Sequence, residues 1–280
     1  METKKNKDQF VIAYLPNLDK YQAILSSAIS FAKMLNKGLI LLHISDKAYT
    51  DISTEDAELK LQEINNSITE ISFHSYCAIE GNSKEILNSI PHLLSGVLLV
   101  TSVDRNSKTM TADNPKILLN NLYTSRIAYF VLPNQEISSI SFEKVILTID
   151  NMRESKEKSL WASYFGRFAK SNLIVFYHTY KDQFYRHQLH FNIRFVVKMF
   201  DNFQLSYRLH LSQNSKTFVD YQAIDYAKQE NINLIICQTT KNKDWTNKIF
   251  GLKELKTITN HQDIPVLFVN PREDLFILCE

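Results

Sequence analysis

Apolar and polar positions follow one another in blocks along the first part of the chain. Short apolar runs, VIAYL (11–15) and LILLHI (39–44), flank a longer segment in which the apolar residues recur every three or four positions. That recurrence is the stripe of an amphipathic helix, and its members are Tyr21, Ile24, Leu25, Ala28, Phe31, Ala32 and Leu35. The pattern predicts a strand, a helix and a second strand.

The same order of elements occurs twice. Residues 11–44 align without a gap with residues 145–178, at an offset of 134, and GVLLVTS (96–102) aligns with NLIICQT (233–239) at an offset of 137. Repetition at this scale indicates two copies of one structural unit. We therefore predict two similar domains, residues 1–138 and 139–280.

Each half contains five apolar runs separated by helical segments. Such runs are typical of parallel strands, because right-handed crossovers place helices over both faces of the sheet. The predicted fold class is α/β, with two tandem doubly wound parallel five-stranded sheets and helices on both faces.

The composition indicates the cellular compartment and restricts the classes of binding partner. The net charge is only +2, which gives no general electrostatic case for nucleic acid or a membrane surface. The cysteines Cys77, Cys237 and Cys279 are widely separated and show no metal-binding spacing, which favours a reducing compartment. No apolar run is long enough to span a bilayer, and the first residues lack the features of a signal peptide. We expect a cytoplasmic protein with no membrane partner and no metal.

One region, residues 178–210, interleaves basic and aromatic residues in the manner of a surface for single-stranded nucleic acid. However, Phe184, Phe191, Phe195 and Met199 are separated by seven, four and four positions. This spacing predicts the buried stripe of a helix whose basic residues lie on its other face. We therefore expect no nucleic-acid partner.

The second half also resembles a known family. The segments that carry the resemblance are VILTID (145–150), LIVFYH (173–178), NLIICQT (233–239), FGLKE (250–254) and IPVLFVNP (264–271). A first strand ending in Asp, a second ending in His and a final Pro-Val-Leu strand resemble the universal stress protein family, here as a tandem pair. The first half departs from the pattern at Pro16 and Ala128. The resemblance implies a role in stress response through protein association or a small ligand.

Relatives that bind ATP carry the pattern G-x2-G-x9-G-[ST] after the fourth strand, whose glycines let backbone amides approach the phosphates. The corresponding loop QTTKNKDWTNKIFGLKE (238–254) keeps only Gly251 and has Leu252 in place of the hydroxyl residue. The loop of the first half, TSVDRNSKTMTADNPK (101–116), has no glycine. We expect a degenerate phosphate loop, no ATP cofactor and no catalytic activity.

Two alternatives remain open. The second half alone could bind ATP or a related nucleotide through Asp150, Thr239, Thr240 and Gly251, since Asp150 ends a strand where ligands bind in such sheets. Asp is equally favoured in turns and helix caps. The other alternative is a nucleotide-using enzyme, a nucleotidyl transferase or hydrolase, against which the missing glycines count.

The last strand of each half, residues 127–133 and 264–271, is apolar and would leave a sheet edge that soluble proteins must hide. We expect these strands to pair within the chain. The apolar tail, residues 272–280, is expected to pack over this junction, to meet a second chain in a homodimer, or to cover its own domain.

Overall fold

The computed structural model of the protein describes residues 9–107, 109–133, 140–212, 217–239 and 253–270. The chain divides into two compact units, Met1–Ile140 and Ser141–Glu280. Each unit is built around its own parallel sheet.

The first unit contains a five-stranded sheet with helical connections. Its strands are β1 (Phe10–Tyr14), β2 (Gly38–Ser45), β3 (His74–Glu80), β4 (Gly96–Ser102) and β5 (Ala128–Leu132). They lie in the order β3-β2-β1-β4-β5, and all are parallel. The helices are α1 (Gln22–Leu35), α2 (Thr54–Asn66), α3 (Ser83–Leu93) and α4 (Pro115–Leu122).

The second unit repeats this plan. Its strands are β6 (Lys144–Ile149), β7 (Asn172–His178), β8 (Tyr207–Ser212), β9 (Ile235–Gln238) and β10 (Val266–Val269), in the parallel order β10-β9-β6-β7-β8. The described helices are α5 (Lys158–Tyr164), α6 (Gln183–Asn202), α7 (Val219–Gln229) and α8 (Lys253–Ile258). A 3-10 turn, Arg153–Glu157, precedes α5, and a π-helical turn, Phe165–Ala169, follows it. The predicted fold class is confirmed.

Polar residues that the sequence places before the helices fix where they begin. Ser53 accepts a hydrogen bond from the backbone N of Asp56 at 3.0 Å, and Asn82 and Asn114 cap α3 and α4 in the same way. Asp182 accepts from the backbone N of Phe184 at 2.8 Å at the start of α6. Such caps satisfy amide groups that have no partner inside the helix.

One predicted surface is wrong. Three of the four residues expected to be buried on α6 are exposed, with Phe184 65%, Phe191 59% and Phe195 37% accessible, and the fourth, Met199, is half-buried. The residues of α6 that are buried are Leu189, Asn192, Val196 and Phe200. Both sets have helical spacing, so the period of the sequence could not distinguish them.

The side chain of Asn192 explains which face of α6 turns inward. Its Nδ2 donates to the carbonyl O of Asp150 at 2.9 Å and to that of Met152 at 2.7 Å. These bonds tie α6 to the turn after β6. A polar residue therefore lies in the centre of the buried face of α6.

The start of β4 gives a test of core packing. A Cβ atom at Gly96 would lie 2.6 Å from Cγ2 of Ile90 and 2.9 Å from Cγ1 of Ile12. We predict that Gly96→Ala lowers the free energy of unfolding by about 1–3 kcal/mol, as overpacking typically does. Chemical denaturation measures this, and in the double variant with Ile90→Ala the two costs should be less than additive because the opposing methyl group is gone. A Gly96→Ala protein as stable as the wild type would contradict the close packing at this position.

Candidate functional site

The candidate site of the second unit lies where β6 and β9 end side by side. From β6 the chain proceeds to β7 on one side, and from β9 it proceeds to β10 on the other. In open α/β sheets such a divergence is a topological switch point, and ligands bind in the crevice outside the carboxyl ends of the strands there. We call this the switch-point crevice, and in the second unit Thr148, Asp150 and Thr239 mark its position.

Asp150, predicted as either a ligand contact or a turn former, does form a turn. Its Oδ1 accepts from the backbone N of Met152 at 3.0 Å, and its own backbone N donates to Oγ of Ser155 at 3.0 Å. The residue is half-buried. Its carboxylate also acts electrostatically on Lys158 and Lys253.

A buried lysine lies beneath this turn. Lys158 is 1% exposed, and its Nζ donates to Oγ1 of Thr148 at 3.3 Å, which in turn donates to the carbonyl O of Ile236 at 3.1 Å. Burial lowers the pKa of Lys158, and the carboxylates of Asp150 and Asp220 oppose that shift. The ammonium group is therefore held by polar groups inside the unit.

An ion pair completes the network. Nζ of Lys253, at the start of α8, lies 3.4 Å from Oδ2 of Asp220 on α7, with the side chains 19% and 5% exposed. Burial alone would raise the pKa of Asp220, but the ammonium groups of Lys253 and Lys158 hold it below its usual value. Burial alone would lower the pKa of Lys253, but Asp220 and Asp150 raise it. Both shifts favour the charged pair.

Other reactive groups near the network are held neutral. Burial raises the pKa of the Cys237 thiol, and Asp220 adds to that shift. Burial, with the charge of Asp150, raises the pKa of Tyr180 to about 12. A neutral buried thiol is a poor nucleophile.

Thr239, a predicted contact for a nucleotide, hydrogen-bonds within the protein instead. Its Oγ1 donates to Oδ1 of Asn270 at 2.6 Å, and its backbone N donates to the carbonyl O of Val269 at 3.3 Å. Thr240 and Gly251, the other two predicted contacts, lie outside the described residues.

The corresponding crevice of the first unit has a different chemistry. At the repeat offsets, Tyr14 replaces Thr148, Ile24 replaces Lys158 and Ser83 replaces Asp220. The buried hydroxyl groups of Tyr14 and Ser83 make no hydrogen bond of normal geometry with the described residues, although Ser83 lies close to Tyr14. Asp46 is engaged, because its Oδ2 accepts from the backbone N of Ser83 at 2.7 Å. This region has no counterpart of the buried Lys158, and Lys116, the counterpart of Lys253, is exposed.

Sequence reasoning missed Lys158, Asp220 and Lys253. One signal was present: Lys158 falls at a position of the helical stripe where the first half has Ile24. A lysine at a repeated apolar position indicates a buried cation in need of a partner. The partner, Asp220, is 62 positions away in the sequence, and no comparable signal indicated that it would be buried.

The described residues were also considered for metal-binding groups and for membrane-spanning helices. Within these ranges no group of three or more His, Cys, Asp and Glu side chains is arranged to hold a metal ion. Nor does any helix there have the length and apolar character needed to cross a membrane.

The network makes a prediction about stability. We expect Asp220→Asn to lower the free energy of unfolding by about 3–5 kcal/mol, because it removes the carboxylate paired with Lys253 and one of the two carboxylates that stabilise the buried Lys158. The pKa of Asp220 is lowered in the folded state, so its contribution is present above the unfolded pKa and is lost as the pH falls through the folded value. The variant should therefore lack part of the acid sensitivity of the wild type.

Urea denaturation across pH 3–7 would measure both effects, over a range chosen to span the carboxyl pKa values, roughly 4. Asp225→Asn, an exposed change on the same helix, is the matched control and should alter stability by less than about 0.5 kcal/mol. Equal stability of the two variants would show that the ion pair contributes nothing.

Comparisons with known proteins place the fold. No protein-family model matches the chain, and no curated protein does. Among solved structures, the chain is similar to a universal stress protein from Archaeoglobus fulgidus DSM 4304, with a TM-score of 0.73 and 11% identity over 94% of this chain and 98% of that one.

Two structures from Pseudomonas aeruginosa are also similar, each with a TM-score of 0.56 and 12% identity. One is a functionally unknown protein from strain PAO1, matched over 96% of this chain and 94% of that one. The other, from strain UCBPP-PA14, is provisionally assigned to the universal stress proteins and is matched over 97% and 96%. The chain therefore has the fold of the universal stress proteins over nearly its whole length.

Proposed function

We propose that the protein is a non-catalytic, cytoplasmic stress-response protein that acts through protein association or a small ligand and does not use ATP. The fold supports the general class. The observation that carries the proposal is the ion-pair network in the switch-point crevice of the second unit, where Asp220 neutralises Lys253 and faces Lys158.

The residues described in that crevice do not fit a triphosphate. A phosphate group needs donors and positive charge that are free to meet it. Here the hydroxyl of Thr239 donates to Asn270, Lys253 is paired with Asp220, and Lys158 is buried. The sequence of the following loop supplies one glycine where the ATP-binding pattern has three.

The chemistry of the same groups favours binding over catalysis. Cys237 is fully buried with a raised pKa, and Lys158 is 1% exposed, so neither can reach a substrate. The hydroxyl groups of Tyr14 and Ser83 in the first unit are buried to the same degree, at 1% and 0% exposure, so they too are out of reach of a substrate.

We predict that ATP does not bind with a dissociation constant in the micromolar range or tighter. Isothermal titration of the purified protein with Mg-ATP should show no saturable heat, and mass spectrometry of the gently denatured protein should find no nucleotide. The physical reason is that the ammonium groups are already neutralised inside the unit.

Micromolar binding that is abolished by Asp150→Ala would contradict the proposal and establish the second unit as a nucleotide-binding module. Turnover of ATP above that of the same variant would establish an enzyme. Asp182→Ala, which removes the cap of α6 instead of a crevice carboxylate, is the control for general destabilisation.

The proposed association gives a further prediction. Strands β5 and β10 stand last in the strand orders of their units, and their pairing stays a prediction, as does the role of the tail, which lies outside the described residues. If the tail joins two chains, removal of residues 272–280 should convert a dimer to a monomer in light scattering. An unchanged mass would exclude the tail from intermolecular contact.

A further inference from the structure

The exposed face of α6 combines aromatic rings with cations. Phe191, Arg194, Phe195 and Lys198 are separated by three, one and three positions, which places them together on one side of the helix. All four are exposed. We call this set the aromatic-basic face.

One further cation, Lys156, lies against two of these rings. Nζ of Lys156, from the turn before α5, is 5.1 Å from the ring centroid of Phe191 and 5.2 Å from that of Phe195. Lys156 itself is 8% exposed. The two rings therefore already hold one cation through cation–π contacts, which shows that their faces suit positive charge.

The end of α6 repeats this arrangement. The guanidinium of Arg167 lies 4.8 Å from the ring centroid of Phe203 and 5.2 Å from that of Phe168, and both rings are exposed. With Lys170 these residues line an open cavity of about 440 Å³. No carboxylate is among the residues that line it. The cavity therefore offers cations and aromatic surface to an anion.

The charge of this region differs from that of the chain as a whole. Residues 153–204 contain nine Lys and Arg against four Asp and Glu, whereas the whole chain has 32 against 30. In the part of the chain that the structure describes, no ion pair joins Lys156, Arg167, Arg194 or Lys198 to a carboxylate. Of these, Arg167, Arg194 and Lys198 are exposed and available to an external anion.

The pattern distinguishes between two kinds of macromolecular partner. The centre of a protein interface is usually depleted of lysine, although aromatic residues and arginine are enriched there. On the aromatic-basic face the cations lie between the rings. Single-stranded nucleic acid requires that alternation, because its bases stack on aromatic rings while its phosphates meet Lys and Arg.

We propose that the aromatic-basic face, together with Arg167, Phe168 and Phe203, binds single-stranded nucleic acid. The proposal goes beyond the proposed function and does not depend on it. It reverses the sequence-based expectation of no nucleic-acid partner, which rested on the burial of Phe191 and Phe195. A modest net charge does not oppose it, since the positive charge is concentrated on one face.

Fluorescence anisotropy of the full-length protein tests the proposal. The probes are labelled oligo(dT) and oligo(rU) of about 15 nucleotides, a length that suits single-strand sites, and a blunt duplex of the same length. At about 50 mM salt we expect saturable binding of the single strands that weakens as salt increases. The duplex should bind more weakly, because its bases are not free to stack.

Two variants separate the contributions of rings and charges. Phe191→Ala/Phe195→Ala should weaken single-strand binding by about tenfold or more, as loss of base stacking does. Arg194→Gln/Lys198→Gln should weaken binding and reduce the log-log salt slope by roughly 1 to 2, the effect of losing two phosphate contacts. Phe218→Ala and Lys228→Gln, exposed changes elsewhere in the second unit, are the matched controls and should bind as the wild type does.

Three results would overturn the proposal. The first is the absence of saturable single-strand binding at low salt, and the second is equal binding of duplex and single strand. The third is binding that neither double variant changes. If no oligonucleotide binds and Phe191→Ala/Phe195→Ala instead changes the mass of the protein in light scattering, the face is a protein interface.

Discussion

The second unit is organised around a buried balance of charge. Placing the ammonium group of Lys158 inside a folded domain costs several kcal/mol unless opposite charge and hydrogen bonds accompany it. Asp150 and Asp220 supply the charge, Thr148 accepts the hydrogen bond, and Lys253 pairs with the carboxylate of Asp220. Because these residues come from β6, α5, α7 and α8, the balance holds four elements in one arrangement.

The position of this network affects the binding of anionic ligands to the second unit. It lies at the carboxyl ends of β6 and β9, the region in which an α/β sheet presents its ligand site. There the protein's own side chains supply both signs of charge. An anionic ligand would have to displace Asp220 from Lys253, which would leave a carboxylate buried without its partner. This is the physical basis of the proposal that the unit does not bind ATP.

The two units share a strand order while differing in this region. Ile24 and Ser83 of the first unit stand where the second has Lys158 and Asp220. Both sheets keep the same strand order although this pair differs. The chemistry of the crevices has diverged where the fold imposes the fewest demands, and the fold alone does not specify a function.

The sequence by itself determined the repeat, the five strands of each half and their parallel direction. The spacing of apolar residues and the β-branched composition carry this information, because both reflect local burial. It also determined the loss of glycines after the fourth strand of each half. Only the tertiary structure decided which face of α6 is buried, since Phe191 and Leu189 both fit a helical stripe and the choice depends on Asn192 bonding to Asp150 and Met152. It likewise brought Lys158 and Asp220 together, because contacts between residues far apart in the chain depend on how the elements pack and leave no periodic trace in the sequence.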